Sequence, residues 1–276
     1  MPLEDELGDI LQKARDGKAW SRNDLFLATK LPKEDLQKIE SYQLTPEDPD
    51  VLKLAKALDL DGPALIDIAQ ERWAPKPPSD DPDFDLVCLN VFMGEYPVNC
   101  YLMRCKTTGE TAVVDTGANP KTVIAKAREM GVRPKMILLT HAHPDHAGGL
   151  GQLSQAFECP TYIDHKEPKP GGSNNFKIIK DGDEIPLGNL RIKCIETPGH
   201  TVGGVSYLIN QTLLSGDVIF AGSMGRANSS WNNLFNSITK KVLCLPDNTG
   251  IHPGHGPSTT VGQEKKHNPF FIGRLK

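Results

Sequence analysis

THAHPDHAGG, residues 140–149, sets three histidines and an aspartate within six positions and closes on paired glycines. A single loop histidine is an ordinary polar surface residue. Four imidazole and carboxylate side chains at this spacing are instead the donor set that zinc and similar borderline cations prefer. The run before them, KMILLT, is apolar and of strand length, so the polar cluster begins where a strand gives way to a loop. The same grammar recurs three times. RIKCIETPG leads into His200, TLLSG into Asp217, and the short apolar run KVLCL leads through PDNTGIHPG to His255. Rigid strands fix the bases of such loops, which is why α/β proteins place their chemistry there.

Spacing divides these residues into two sets. His141 and His143, two apart on an extended segment, can point the same way and share one cation. Asp145 and His146 lie further round, at the start of a helix predicted near Pro144, and suit a second cation. His200 and His255 can complete the two sets and Asp217 can bridge them. Each cation then has three or four protein ligands and a position left for water, the open arrangement of a catalytic site.

The chain has 276 residues, 38% hydrophobic and 24% charged, which predicts a soluble globular protein of one or two domains. Its beginning, MPLEDELGDI, is acidic where a signal peptide is basic, and no apolar run reaches membrane-spanning length. Six cysteines without a C-x-x-C pair read as reduced core residues, which places the protein in the cytoplasm. The Pro-rich stretch WAPKPPSDDPDF divides the chain into a helical domain (1–72), a linker (73–83) and an α/β domain (84–276). Apolar residues three or four apart predict helices in LGDILQKARDG, NDLFLATKL, KEDLQKIESY, DVLKLAKALDL and GPALIDIAQERW. Few contacts are expected to cross such a linker.

The H-x-H-x-D-H pattern, PGHT around His200, GD at 216–217, PGHG around His255 and VDTG at 114–117 together resemble the metallo-β-lactamase-fold hydrolases. GDVIFAGSMGR and HPGHGPSTTVGQEKKHNPF resemble their short glyoxalase II-like branch. The resemblance implies a four-layer αββα sandwich, preceded here by the small all-α bundle, with two divalent metal ions at one edge. Zinc is the expected metal, with iron or manganese as alternatives. The ligands implied are His141, His143, Asp145, His146, His200, Asp217 and His255, with Asp115 a structural residue behind them. The implied reaction is hydrolysis of a small-molecule thioester or related acyl ester by a metal-bridging hydroxide, Asp145 also orienting the nucleophile or taking its proton. Arg226, Lys265 and Lys266 stand where substrate contacts are expected. A persulfide dioxygenase of the same fold, with one iron on His141, His200 and Asp217, is the alternative chemistry.

Residues 21–69 resemble a Cro/repressor-type helix-turn-helix domain, which raises a metal- or ligand-responsive regulator as a further alternative. Charge argues against DNA. Residues 1–80 hold 11 Lys and Arg against 17 Asp and Glu, a net of −6, and the remainder carries +2. DNA affinity rests chiefly on neutralising phosphates, so an acidic module starts at a disadvantage. Association between copies of the chain is the expected role of the bundle. His165, His252 and His267 read as loop histidines outside the ligand set.

Overall fold

In the computed structural model, which describes residues 2–274, the helical periodicity of the first third becomes five helices. They are α1 (Leu7–Gly17), α2 (Arg22–Thr29), α3 (Lys33–Glu40), α4 (Asp48–Leu58) and α5 (Gly62–Ala69). Ser21 starts α2 by accepting the Asp24 N–H while Asp24 accepts the Ser21 N–H, a reciprocal cap. Pro49 and Pro63 occupy the first turns of α4 and α5, where a missing N–H costs nothing. The buried Glu40 carboxylate pairs with Arg15 at 3.0 Å and Arg22 at 2.9 Å, tying α3 to α1 and α2.

After the Pro-rich stretch the chain forms β1 (Phe84–Met93), β2 (Tyr96–Cys105), β3 (Thr111–Val114), α6 (Lys121–Glu129), β4 (Met136–Leu138), α7 (Pro144–Ala147), α8 (Leu150–Phe157), β5 (Thr161–Asp164) and β6 (Phe176–Ile179). There follow β7 (Glu184–Leu187), β8 (Leu190–Glu196), β9 (Val205–Ile209), β10 (Thr212–Gly216), the small hairpin β11 (Ile219–Phe220) and β12 (Ser223–Met224), and α9 (Trp231–Ser237). The last elements are β13 (Gly250–Pro253), β14 (Thr259–Thr260) and α10 (Val261–His267). One six-stranded sheet runs β1-β2-β3-β4-β5-β6 and the other β14-β13-β10-β9-β8-β7. Met103, Val114 and Leu138 of the first sheet pack against Ile192, Tyr207 and Leu214 of the second, forming the central core. The outer face of the first sheet is covered by α6 and α8 through Val123, Leu150 and Leu153. This is the α/β sandwich of two sheets flanked by helices that the motifs imply.

Two expectations change. KVLCL is not a strand: α9 continues into a π-helical turn, Ile238–Val242, because Leu234, Ile238 and Val242 are spaced four apart and all are buried. The strand before His255 is instead the short β13, GIHP, which has no apolar run to announce it. The second change concerns the bundle. Residues of α1–α5, among them Ile10, Leu11, Leu54 and Leu65, share one hydrophobic cluster with Leu213, Ile219, Leu234, Ile251 and Phe271. The helices therefore cover the outer face of the second sheet together with α9 and α10. Gly17 of α1 lies against the Trp231 ring so closely that an added Cβ would fall 2.4 Å from it. The Pro-rich stretch leaves the two parts free to pack extensively, because a linker's composition reports its own stiffness and not what its ends meet.

Glu264 of α10 is fully buried, yet it accepts from Thr259 Oγ1 at 2.8 Å, Asn268 Nδ2 at 2.7 Å and the Gly222 N–H at 3.0 Å. Burial outweighs these donors and pushes its carboxyl up to about 7. A raised carboxyl contributes stability that is complete below its unfolded value of 4.5 and is lost as pH rises through 7. The full span corresponds to roughly 3 kcal/mol. Glu264→Gln is expected to flatten the pH dependence of thermal unfolding between those limits, read from melts at a series of pH values. An unchanged slope would assign the dependence to other groups.

Candidate metal centre

The sheet edge carries four loops. His141 follows β4, His200 follows β8, Asp217 follows β10 and His255 follows β13, while Asp145 and His146 sit on α7. His141 Nε2 lies 3.1 Å from His143 Nδ1, which lies 3.0 Å from His200 Nε2. Beside this trio, His255 Nε2 is 3.3 Å from Asp145 Oδ2 and 3.4 Å from His146 Nε2. Asp217 stands between the groups. Its Oδ2 is 3.6 Å from His200 Nε2 and 3.5 Å from His255 Nε2, and its Oδ1 is 3.2 Å from His146 Nε2. The structure brings His141, His143 and His200 together in one group and Asp145, His146, Asp217 and His255 in another.

Each imidazole is aimed by what its other nitrogen does. His200 Nδ1–H donates to the Arg226 carbonyl and His255 Nδ1–H to the Pro97 carbonyl, both at 2.8 Å, which leaves each Nε2 lone pair facing the centre. His146 Nδ1 is 2.7 Å from Asp115 Oδ2, and the same carboxylate accepts from the Thr140 N–H at 2.8 Å and Thr140 Oγ1 at 2.7 Å. Asp115 itself holds a left-handed φ of 55°, a conformation that aspartate tolerates better than most residues. Gly254 permits the crowding: a Cβ there would lie 2.2 Å from Asp217 Oδ1.

Burial and the neighbouring His146 hold the His141 imidazole well below its usual range. Burial would also depress His255, but Asp145 and Asp217 overcome it and lift the imidazole to about 10. Burial opposes ionisation of Asp217, and His146 with His255 prevails, holding that carboxyl well below the usual range. Its Oδ1 is buried without a hydrogen-bond donor. An ionised oxygen so placed, among imidazole nitrogens about 3 Å apart, fits divalent cations rather than an apolar or anionic guest.

Other predicted residues are placed differently. Arg226 serves the centre through its backbone carbonyl, while its half-exposed guanidinium reaches toward Asp16 of α1 at 3.9 Å. Lys265 is paired with Asp247 at 2.6 Å, and Lys266 lines a surface depression with Trp73, Lys76 and Pro77, so both face other parts of the surface. His252 packs edge-on to Tyr101 and contacts Ser258, behind the ligands.

Two contributors escaped sequence reasoning. Glu4, in the segment before α1, brings Oε1 to 4.0 Å from His255 Nδ1 and lies on Gly256. Glu167 is buried after β5, where its Oε2 accepts from the Ala142 N–H and its Oε1 from the Gly203 N–H, both at 2.9 Å. One carboxylate therefore ties the His141–His143 turn to the loop that follows His200. Nothing in HKEP distinguishes this role from a solvated acid. Glu167→Ala is expected to weaken the cation held by His141, His143 and His200 by about 10–100-fold, the usual effect of removing a group that orients ligands. Chelator competition would measure it, and equal loss of both cations would argue for general unfolding instead.

The metallo-beta-lactamase superfamily model matches residues 93–255. Hydroxyacylglutathione hydrolase GloC of Haemophilus influenzae is 29% identical over 202 residues, 63% of this chain and 95% of that protein. Among solved structures, TTHA1623 in a di-iron-bound form is 32% identical with a TM-score of 0.58, covering 66% of this chain and all of that one. ETHE1 from Myxococcus xanthus is 26% identical with a TM-score of 0.61, covering 68% and 85%. The fold is one that binds divalent metals, and the His/Asp clusters lie where such ions fit.

Proposed function

Because the chain belongs to the metallo-β-lactamase superfamily, we propose that it is a dinuclear metal-dependent hydrolase of a small thioester or related acyl ester. The observation that carries this reading is Asp217, whose one carboxylate contacts His200 on one side and His146 and His255 on the other. His141, His143 and His200 would hold one cation, and Asp145, His146 and His255 the other. The imidazole-rich donor set favours zinc, with iron or manganese as alternatives. When bound, such cations polarise a carbonyl and lower the pKa of water to about 7.

The chain's own groups do the rest. Asp145 is 20% exposed where Asp217 is 8%, so it is the carboxylate open to the reacting side. Burial opposes its ionisation, but the hydrogen bond with His255 and the charge of His146 keep it below its usual range and so ionised. Thiolate departs readily, so a site without an evident general acid for the leaving group suits a thioester better than an amide. GloC, named as a hydroxyacylglutathione hydrolase, supports that class. We read residues 1–72 as part of the enzyme rather than as a DNA-binding module, since they complete its outer layer.

Purification without added metal, elemental analysis and assay on a series of acyl thioesters test the proposal. Two metals per chain with thioester hydrolysis are expected. One iron per chain with oxidation of a persulfide would favour the mononuclear alternative, for which His141, His200 and Asp217 are also together.

A further inference from the structure

Asp164 ends β5 in the first sheet and Glu196 ends β8 in the second, and His165 stands between their carboxylates. His165 Nδ1 is 3.4 Å from Asp164 Oδ2 and 3.7 Å from Glu196 Oε1. Around a tetrahedral zinc with bonds of 2.0–2.2 Å, ligand atoms lie roughly 3.3–3.6 Å apart. The His165–Asp164 separation falls in that range, the His165–Glu196 separation just above it, and all three ligand atoms lie within 4.8 Å of one another. A second observation points the same way. Asp164 is fully buried, and its Oδ2 has no hydrogen-bond donor, whereas its Oδ1 accepts from the Lys166 N–H at 2.8 Å. An orphaned carboxylate oxygen is costly unless something positive meets it.

We propose that Asp164, His165 and Glu196 form an accessory divalent-cation site, separate from the seven-residue centre, that staples the end of β5 to the end of β8. Imidazole with two carboxylates is a donor set for zinc or manganese. The half-exposed His165 leaves the outward side of the site to water, so exchange is expected to be faster than at the buried centre. Lys166 competes for it, since its ammonium sits 2.5 Å from Glu196 Oε2, while Oε1 accepts the Asp181 N–H at 3.3 Å and keeps a lone pair for the ion. The position gives the staple a purpose. Glu167, three residues after Asp164, holds the turn carrying His141 and His143, and an ion at Asp164 fixes the base from which Glu167 reaches. This inference rests on these three side chains and not on the proposed reaction.

The test uses the full chain, stripped with chelator, dialysed against graded free zinc and analysed for zinc per chain. Three equivalents are expected for the unaltered protein, the third at least tenfold weaker than the others. His165→Ala, at an exposed position, and Glu196→Gln should each bind two. Lys166→Ala, which frees Glu196 Oε2, should tighten the third equivalent severalfold, whereas nonspecific surface binding would not respond. Zinc equivalents in His165→Ala and Glu196→Gln that equal those of the unaltered protein would overturn the proposal. Because the readout is stoichiometry, a failed thioester assay leaves it standing and a missing third zinc leaves the hydrolase reading standing.

Discussion

In the dinuclear site proposed, Asp217→Ala is expected to abolish turnover and to loosen both metals at once. The carboxylate is within reach of both sets, with Oδ2 3.6 Å from His200 Nε2 and 3.5 Å from His255 Nε2. Its removal also strips His146 of the charge at 3.2 Å that, with Asp115, outweighs burial and holds its imidazole well above the usual range. Truncating one partner of a buried charge pair costs about 3–5 kcal/mol, since the other charge stays behind unpaired. If that loss falls on the reacting state, turnover drops by about 10²–10⁴-fold. Elemental analysis after dialysis and a thioester assay read the two effects separately. A variant retaining two metals with a near-normal rate would sink the bridging assignment.

Deleting residues 1–72 is expected to yield a chain that does not fold stably. The deletion exposes apolar groups that the helices cover, including Leu213, Ile219, Leu234, Ile251 and Phe271. It also removes specific bonds. Lys13 Nζ donates to the Met224 carbonyl at 2.7 Å and pairs with Asp5, which accepts from Ser223, and the Asp61 N–H donates to the Pro269 carbonyl at 2.9 Å. A fully buried Leu, Ile or Phe side chain contributes about 1.5–3 kcal/mol. The five uncovered together amount to about 7–15 kcal/mol, comparable to the 5–15 kcal/mol that holds a typical domain. Loss of soluble protein or of a cooperative melt is the expected result. A truncated chain that melts as sharply as the intact one and keeps its metals would show that the second sheet needs no helical cover from outside.

The metal-type residues could be read directly from the sequence because their chemistry is local. HAHPDH needs no partner segment to declare itself, and the strand-to-loop position of His141, His200 and Asp217 follows from short apolar runs just ahead of each. The five N-terminal helices were equally legible, since a 3.6-residue period and caps such as Ser21 operate within a few residues. Periodicity shows that a face is buried but not against what. Only the fold could decide that α1–α5 cover the second sheet, that GIHP rather than KVLCL supplies the strand before His255, and that Arg226 works through its carbonyl. Glu4 and Glu167 are of the same kind. Their partners lie about 250 residues away for Glu4 at His255, and 25 and 36 residues away for Glu167 at Ala142 and Gly203. Such contacts carry no mark in the chain, because an acid that solvates a surface and an acid that clamps two loops are the same side chain until the tertiary structure brings a donor to it.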